Sequence, residues 1–382
     1  MKKPIYLDYN ATTPHDPEVI VAMRPYLEKH FGNPSSSHWY GIRTRNAVEN
    51  AQGKVASLLN CQPDEIVFTS GGTESNNYAI KGAAFTLRDK GNHIITTQIE
   101  HPAVIEVCKF LEEHGFNVTY LSVDEFGRVS VSDIEKAITP LTILITIMHA
   151  NNEVGTIQPI EQVSKLARER GIVMHTDAAQ SVGKIPTDVS MLGVDLLSVA
   201  GHKLYAPKGI GALYIRKGTQ LVKFIHGAGQ ERGQRAGTEN VLEIVGFGKA
   251  CEVAKRDLEK NMSHMKAMRD RLHDGLRDKS RDIKLNGHPE MRLPNTLSLS
   301  FLAMDANMLL SEIKDYVAAS AGTACHSGGV EISYILKAMN VPAEWAKGTL
   351  RFSTGRMTTE REIDKAIKTI SNAALHMRQK ST

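Results

Sequence analysis

The stretch SAGTACHSGG (320–329) isolates one thiol, Cys325, among small residues. Packing cysteines usually sit in apolar runs. One flanked by Gly322, Gly328 and Gly329 belongs to a segment with backbone freedom, where a thiol can travel and act as a nucleophile. An incidental free cysteine in a turn fits the same ten residues. The second reactive candidate is an amine. Lys203, in VAGHKLYAPKG, follows a histidine at the end of an apolar run and precedes a turn shaped by glycine and proline. Withdrawn from water, a lysine drops below its usual pKa of ~10.4 and becomes available to attack a carbonyl.

Four further clusters sit where predicted strands end. SGGTESNN (70–77) offers two glycines and the Thr73 hydroxyl at a helix start, which suits a phosphate but also begins many ordinary helices. His101, in IEHPAV, reads equally as a ligand contact or a helix cap. The asparagine pair in HANNEVGT either aims amides at a ligand or makes a turn. Asp177, in HTDAAQS, leaves an apolar strand among small residues, and a carboxylate buried there wants a cationic partner. A phosphate cradle, an amine for a Schiff base and a carboxylate for the ring nitrogen are the protein parts that pyridoxal phosphate requires.

These residues need a scaffold, and the apolar patterning supplies one. Short β-branched runs at 65–70, 93–100, 142–150, 171–179, 195–203 and 209–217 alternate with amphipathic helical stretches such as 104–115 and 160–171. That alternation predicts a mostly parallel sheet covered on both faces, in a large domain over 13–255. A long charged helical pattern at 252–278 reads as a connector. After it, strands at 293–301 and 349–355 and helices at 306–315 and 359–380 predict a smaller α/β domain (256–382), completed by the N-terminal residues 1–12 and carrying the cysteine loop, about 318–332.

The chain has 382 residues, with 46 basic and 42 acidic side chains interspersed rather than segregated, so nothing demands nucleic acid or a membrane surface as partner. MKKPIYLDYNATTP lacks the apolar core of a signal peptide, and a cytoplasmic protein is expected. The four cysteines are far apart, with no CxxC pair and no histidine at zinc-finger spacing, which argues against a disulfide framework or a metal cage.

YLDYNATTP, FGNPSSSH, SGGTESNN, the Glu100–His101 pair, HANNEVGTIQPI, HTDAAQ, GHKLYAPKGIGALY, GAGQERGQRAGTEN and LRFSTGR occur in this order over nearly the whole chain. Through them the sequence resembles the cysteine desulfurases of the NifS/IscS type, in the aminotransferase class V family. The resemblance implies a fold-type I pyridoxal 5'-phosphate domain on a mostly parallel, seven-stranded sheet. Lys203 would carry the cofactor as a Schiff base and move protons, Asp177 would pair with the pyridine nitrogen, His101 would stack on the ring, and Gln180 would bond its phenolic oxygen. Gly72, Thr73 and His202 would hold the phosphate, joined by Thr238 from the other subunit of a homodimer. Asn152 and Arg351 would bind the carboxylate of L-cysteine, the arginine through a bidentate fork. Cys325 would take the substrate sulfur as a persulfide, releasing alanine, and pass it to an acceptor such as an iron–sulfur scaffold or a sulfur relay protein. A cluster held transiently by Cys325 with a partner's thiols is a further expectation, and the other three cysteines read as packing residues.

Two positions depart from the family pattern. Ala200 stands where a phosphate-binding serine is usual, which removes one hydroxyl contact. Cys325-His326-Ser327 replaces the common Thr-Ser or Ser-Ser continuation and also resembles the selenocysteine lyases of the superfamily. L-selenocysteine is therefore the alternative substrate. A scaffold that binds partners without chemistry fits poorly with an intact Lys203, Asp177 and Arg351.

Overall fold

In the computed structural model the structure describes residues 3–280, 282–326 and 329–381; of residues 323–331 and 380–381 only the backbone is described. The chain opens with β1 (Ile5–Tyr6) and builds its main sheet from β2 (Ile66–Thr69), β3 (His93–Thr97), β4 (Asn117–Leu121), β5 (Thr142–Thr146), β6 (Val173–Asp177), β7 (Leu196–Ala200) and β8 (Gly211–Ile215). Their order is β2-β8-β7-β6-β5-β3-β4. Strands β7, β6, β5, β3 and β4 run parallel, and β8 runs antiparallel to both of its neighbours.

Every residue of β2, β3, β5, β7 and β8 is buried, which explains why these strands read as continuous apolar runs. Side chains still alternate. Phe68, Ile95, Ile145 and Leu197 enter one core, with Val55, Leu59 and Phe247 of the covering helices. Val67, Ile94, Leu144 and Leu196 enter the core on the opposite face, with Tyr78, Ile80, Val104 and Leu111. Full burial of such a side chain stabilises by roughly 1.5–3 kcal/mol, so the two faces together fix the register of the strands that carry the site.

A separate core joins Leu7 to Met268, Leu272, Leu299, Phe301, Phe352, Ile363 and Ile370. It covers β9 (Ile283–Asn286), β10 (Thr296–Phe301), β11 (Val317–Ala318), β12 (Ser320–Ala321) and the later strand Thr349–Ser353. β1 pairs in parallel with β11, so the N-terminus belongs to this end of the molecule. The helical pattern expected to run unbroken through 252–278 is two helices, Val241–Arg256 and Leu258–Lys279. They meet at Asp257, whose φ of −109° and ψ of 13° leave the helical region.

The cysteine stretch differs from the irregular loop expected. β13 (Thr323–His326) pairs antiparallel with β14 (Gly329–Ile332), setting Cys325 opposite Val330. Thr323, Val330 and Ile332 are β-branched, which favours an extended backbone over a coil. Ser327 and Gly328, also within the expected loop, lie outside the described residues. β15 (Thr349–Ser353) then pairs with β10 and β12, and the helix Glu360–Ser381 closes the chain. Among the described residues no helix is long and apolar enough to cross a membrane.

Candidate active site

The carboxyl ends of β3, β5, β6 and β7 open onto a cavity of about 290 Å³, the usual place for ligands in a parallel sheet. Each strand delivers one functional position to its lining: His101 after β3, Asn152 after β5, Asp177 and Gln180 at the end of β6, His202 and Lys203 after β7. Gly72 and Thr73, at the start of the helix Gly72–Thr86, complete it, with Asn76 one turn further on.

Lys203 closes the short 3-10 turn Gly201–Lys203. A Cβ on Gly201 would stand 2.9 Å from the Ile210 carbonyl oxygen, so the sharp exit from β7 requires glycine. Lys203 Nζ donates to the Asn10 carbonyl at 2.6 Å. Burial holds its pKa down to about 8, with Arg351 acting in the same direction and Asp177 and Asp8 opposing. The side chain is still mostly protonated at neutral pH, but about a tenth of it is the free amine that attacks, far more than in an ordinary lysine.

Asp177 is 6% exposed, and its carboxylate accepts from Asn76 Nδ2 at 2.7 Å and from the Ala179 amide at 2.9 Å. Among the described residues no lysine or arginine forms an ion pair with it. Two donors satisfy its oxygens, while the cation that the sequence led us to expect is left for a ligand to supply.

His101 caps a helix and also lines the cavity, a placement open to both readings. Its Nδ1 accepts from the Ala103 amide at 3.1 Å and so caps the helix Pro102–Glu113, while the ring lines the cavity. Burial keeps it less basic than a free histidine, Lys203 adds to that and Asp177 opposes it. With Nδ1 accepting, the neutral ring carries its proton on Nε2. The two asparagines divide the roles proposed for them. Asn151 Oδ1 accepts from Glu153 and Val154 and makes the turn. Asn152 lines the cavity, with a buried Oδ1 that has no hydrogen-bond partner.

The anion end is built from backbone. Gly71 provides no side-chain cap, so the first N–H groups of the helix are open, and a Cβ on Gly72 would meet Ala200 Cβ at 3.3 Å. His202 borders this end and bonds Thr12 Oγ1 through Nδ1 at 3.2 Å. Burial first, then Lys203, Lys208 and Lys184, lower its pKa to about 4, so it meets an anion as a neutral donor.

Arg351 stands beside the cavity on β15. Nη1 donates to the Asn152 carbonyl at 3.2 Å, and Nη2 to Asp8 Oδ1 at 2.9 Å and Ser320 Oγ at 3.0 Å. Nε is buried without a partner. Thr238 is not brought into this cavity; it is exposed and borders a second one with Ser70, Glu231 and Arg235. Cys325 stands in its hairpin, and its side chain lies outside the described ones. The base of that hairpin is tied to the large sheet: Ser333 Oγ donates to Glu153 Oε2 at 2.7 Å and Tyr334 Oη to the Glu100 carbonyl at 2.5 Å.

Three residues central to this geometry escaped the sequence reading. Asn10 lies within YLDYNATTP and Asn76 within SGGTESNN, so both sat in quoted motifs without a role. Lys184, whose Nζ donates to Gln180 Oε1 at 2.8 Å, lies four residues after Gln180 in a stretch to which the sequence reading gave no role.

A profile of the aminotransferase class-V family matches residues 5–366. A protein named cysteine desulfurase IscS from Dictyoglomus turgidum is 51% identical over 365 residues, covering 95% of this chain and 93% of that relative. A solved structure titled NifS-like protein superposes with a TM-score of 0.91 at 40% identity, covering 97% of this chain and 98% of its own. Another, SspA in complex with cysteine, gives 0.81 at 37% identity, covering 93% of this chain and all of its own.

Proposed function

The chain belongs to the aminotransferase class-V family and is a cysteine desulfurase; on that premise we propose that its cavity holds pyridoxal 5'-phosphate and takes L-cysteine to L-alanine, with the sulfur captured on Cys325. The observation that carries this reading is Lys203, an amine held at about 8 at the closed end of a cavity that also presents a buried carboxylate and an uncapped helix start. The residues present fit the cofactor. Open N–H groups at Gly72 and Thr73 with neutral His202 suit a phosphate, and Asp177 without a cation suits a protonated ring nitrogen.

When bound, the cofactor withdraws electrons from the substrate's Cα. Lys203 would hold it and, as a free amine, would take and return the proton at Cα. Asp177 would keep the ring nitrogen protonated. His101 would lie against the ring and could donate its Nε2 proton. Arg351 and Asn152 would orient the substrate carboxylate, the unpartnered Arg351 Nε as one donor and the Asn152 side-chain amide through its N–H end as another. Cys325, as a thiolate, would attack the substrate sulfur, forming the S–S bond as the C–S bond breaks; that bond's electron pair stays with the substrate, whose carbon takes a proton to give alanine.

The two separate cores and the break at Asp257 support a division into a large domain, 13–255, and a small one of 1–12 with 256–382. Thr238, exposed and outside its own chain's cavity, supports a homodimer in which it serves the partner's phosphate site. A sulfur-acceptor protein is the partner that a persulfide requires. Free thiols at Cys61, Cys108 and Cys251 support the cytoplasm as the compartment.

Alanine release from L-cysteine by the cofactor-loaded protein, with and without Cys325→Ala, tests the proposal. Alanine that forms in the native chain and disappears in the variant is the expected result. Alanine that survives the substitution removes Cys325 from the reaction, and turnover confined to L-selenocysteine, offered in parallel, makes the enzyme a lyase.

A further inference from the structure

Lys184 is 5% exposed and lies behind the cavity. Its Nζ donates to Gln180 Oε1 at 2.8 Å and to Asn10 Oδ1 at 3.2 Å, and among the described residues no carboxylate forms an ion pair with it. Lys203 and Arg351, the charged groups that act on it, are both cations. Burial first, and then those two, hold its pKa well below that of an ordinary lysine. A neutral amine has two N–H donors, and here both meet amide oxygens.

A glutamine amide has a donor end and an acceptor end of nearly the same shape, so its surroundings decide which way it faces. At Gln180 the acceptor end takes the Lys184 bond, and Nε2 donates to the Asn10 carbonyl at 3.1 Å. Nε2 keeps a second hydrogen, and Gln180 lines the cavity. Asn10 is held by the same lysine, and its carbonyl is also the acceptor for Lys203 Nζ. One buried amine thus touches Gln180 and also Asn10, the residue whose carbonyl holds the reactive lysine.

We propose that Lys184 is a positioning residue of the cofactor site, which holds the Gln180 amide with its Nε2 end toward the cavity so that it donates to the phenolic oxygen of the cofactor. This rests on the reading of the cavity as a pyridoxal phosphate site. Lys184 itself does not touch the cofactor. Its contribution is to make the opposite amide orientation, with Oε1 against the phenolic oxygen and against the Asn10 carbonyl, lose a hydrogen bond as well.

The test uses the full-length, cofactor-loaded protein as Lys184→Met, Gln180→Ala and the double variant. Two quantities are read: the affinity for pyridoxal phosphate, and the pH midpoint of the bound cofactor's visible absorbance change. Lys184→Met is expected to weaken the affinity roughly fivefold, the factor carried by about one neutral hydrogen bond. It also raises the midpoint, because a donor at the phenolic oxygen favours its anionic form. A general loss of stability would not move that midpoint. In the Gln180→Ala background Lys184→Met should change neither quantity.

Equal effects of Lys184→Met in both backgrounds would overturn the proposal. So would no effect at all while Gln180→Ala alters both quantities, and either result leaves the site reading intact. If Gln180→Ala alone changes neither, the site reading fails and the proposal with it. Should Lys184→Met not fold, Lys184→Gln, a shorter neutral side chain, is read in its place: a raised midpoint supports the assignment and an unchanged one refutes it.

Discussion

Asp8 Oδ1 lies 2.9 Å from Arg351 Nη2, so the guanidinium proposed to bind the substrate carboxylate already holds a carboxylate of its own chain. Ser320 Oγ accepts from the same Nη2 and donates to the same Asp8 oxygen, closing a three-membered ring of contacts. Either edge of the guanidinium that could grip a carboxylate with two parallel bonds includes Nη2, and both of its hydrogens are engaged. A bidentate substrate must therefore displace Asp8 or Ser320.

Asp8→Asn weakens that internal competitor while keeping its shape. L-alanine, which carries the same carboxylate and no sulfur, should bind the loaded variant roughly fivefold more tightly, the size of effect that about one hydrogen bond carries. A spectral titration with L-alanine reads this directly. Weaker binding would assign Asp8 the opposite role, that of holding Arg351 in its productive orientation.

Lys203 gives a pH prediction. Its pKa is lowered to about 8 by burial first and then by Arg351, so the neutral, attacking form is lost as pH falls through 8. The rate at which the cofactor-free protein takes up pyridoxal phosphate, followed by absorbance, should fall about tenfold per pH unit below that midpoint. Arg351→Met removes a neighbouring positive charge, so the midpoint should move up. A rate that is flat from pH 6 to 9 would mean that another step, not the state of Lys203, limits uptake.

What the sequence made legible follows from burial. Strands buried on both faces announce themselves as apolar runs, and the residues at their ends, His101, Asn152, Asp177 and Lys203, converge on one cavity because parallel strands deliver their ends to the same side. The edge strand β4 was missed because NVTYL is partly exposed and pairs on one side only. The helix Trp39–Leu59 was missed because its first turns bury only Gly41 and Thr44 and its apolar stripe, Ala51, Val55, Ala56 and Leu59, is confined to the last turns and half made of alanine. Asn10 was beyond reach for another reason: its partners Asn152, Lys203, Asn295 and Thr296 are distant in sequence, and only the tertiary fold joins them.

Glu100, next to His101, is fully buried and accepts from Thr97 Oγ1 at 2.7 Å and from the Met148 amide at 3.0 Å. Burial raises its pKa to about 8, with Asp177 adding to the rise and the two hydrogen bonds opposing it. The folded state thus binds a proton more tightly than the unfolded chain. Its cost to stability is absent below the unfolded pKa near 4.5, grows as pH rises and levels off above about 8. Glu100→Gln, permanently neutral, should leave the melting temperature near that of the native chain at pH 5 and raise it at pH 8. Melting curves at the two values measure this, and equal shifts at both would show that proton binding at Glu100 is not the cause.

Ala200 closes β7 at the anion end of the cavity, with its Cβ facing Gly72. In the family pattern the resemblance invoked, a hydroxyl stands there, and its absence would leave the phosphate of the proposed cofactor to backbone N–H groups, Thr73 and His202. Ala200→Ser adds one donor without crowding the cradle. The Cβ that Gly72 lacks would already reach Ala200 at 3.3 Å, so the glycine's missing side chain is the space the added oxygen needs. If the phosphate keeps an unmet acceptor in the native chain, the serine should tighten pyridoxal phosphate binding roughly fivefold, the equivalent of about 1 kcal/mol for one hydrogen bond. Equilibrium binding to the cofactor-free protein measures the difference. An unchanged affinity would show that the helix start already saturates the phosphate, and that the alanine costs this enzyme nothing at the cofactor.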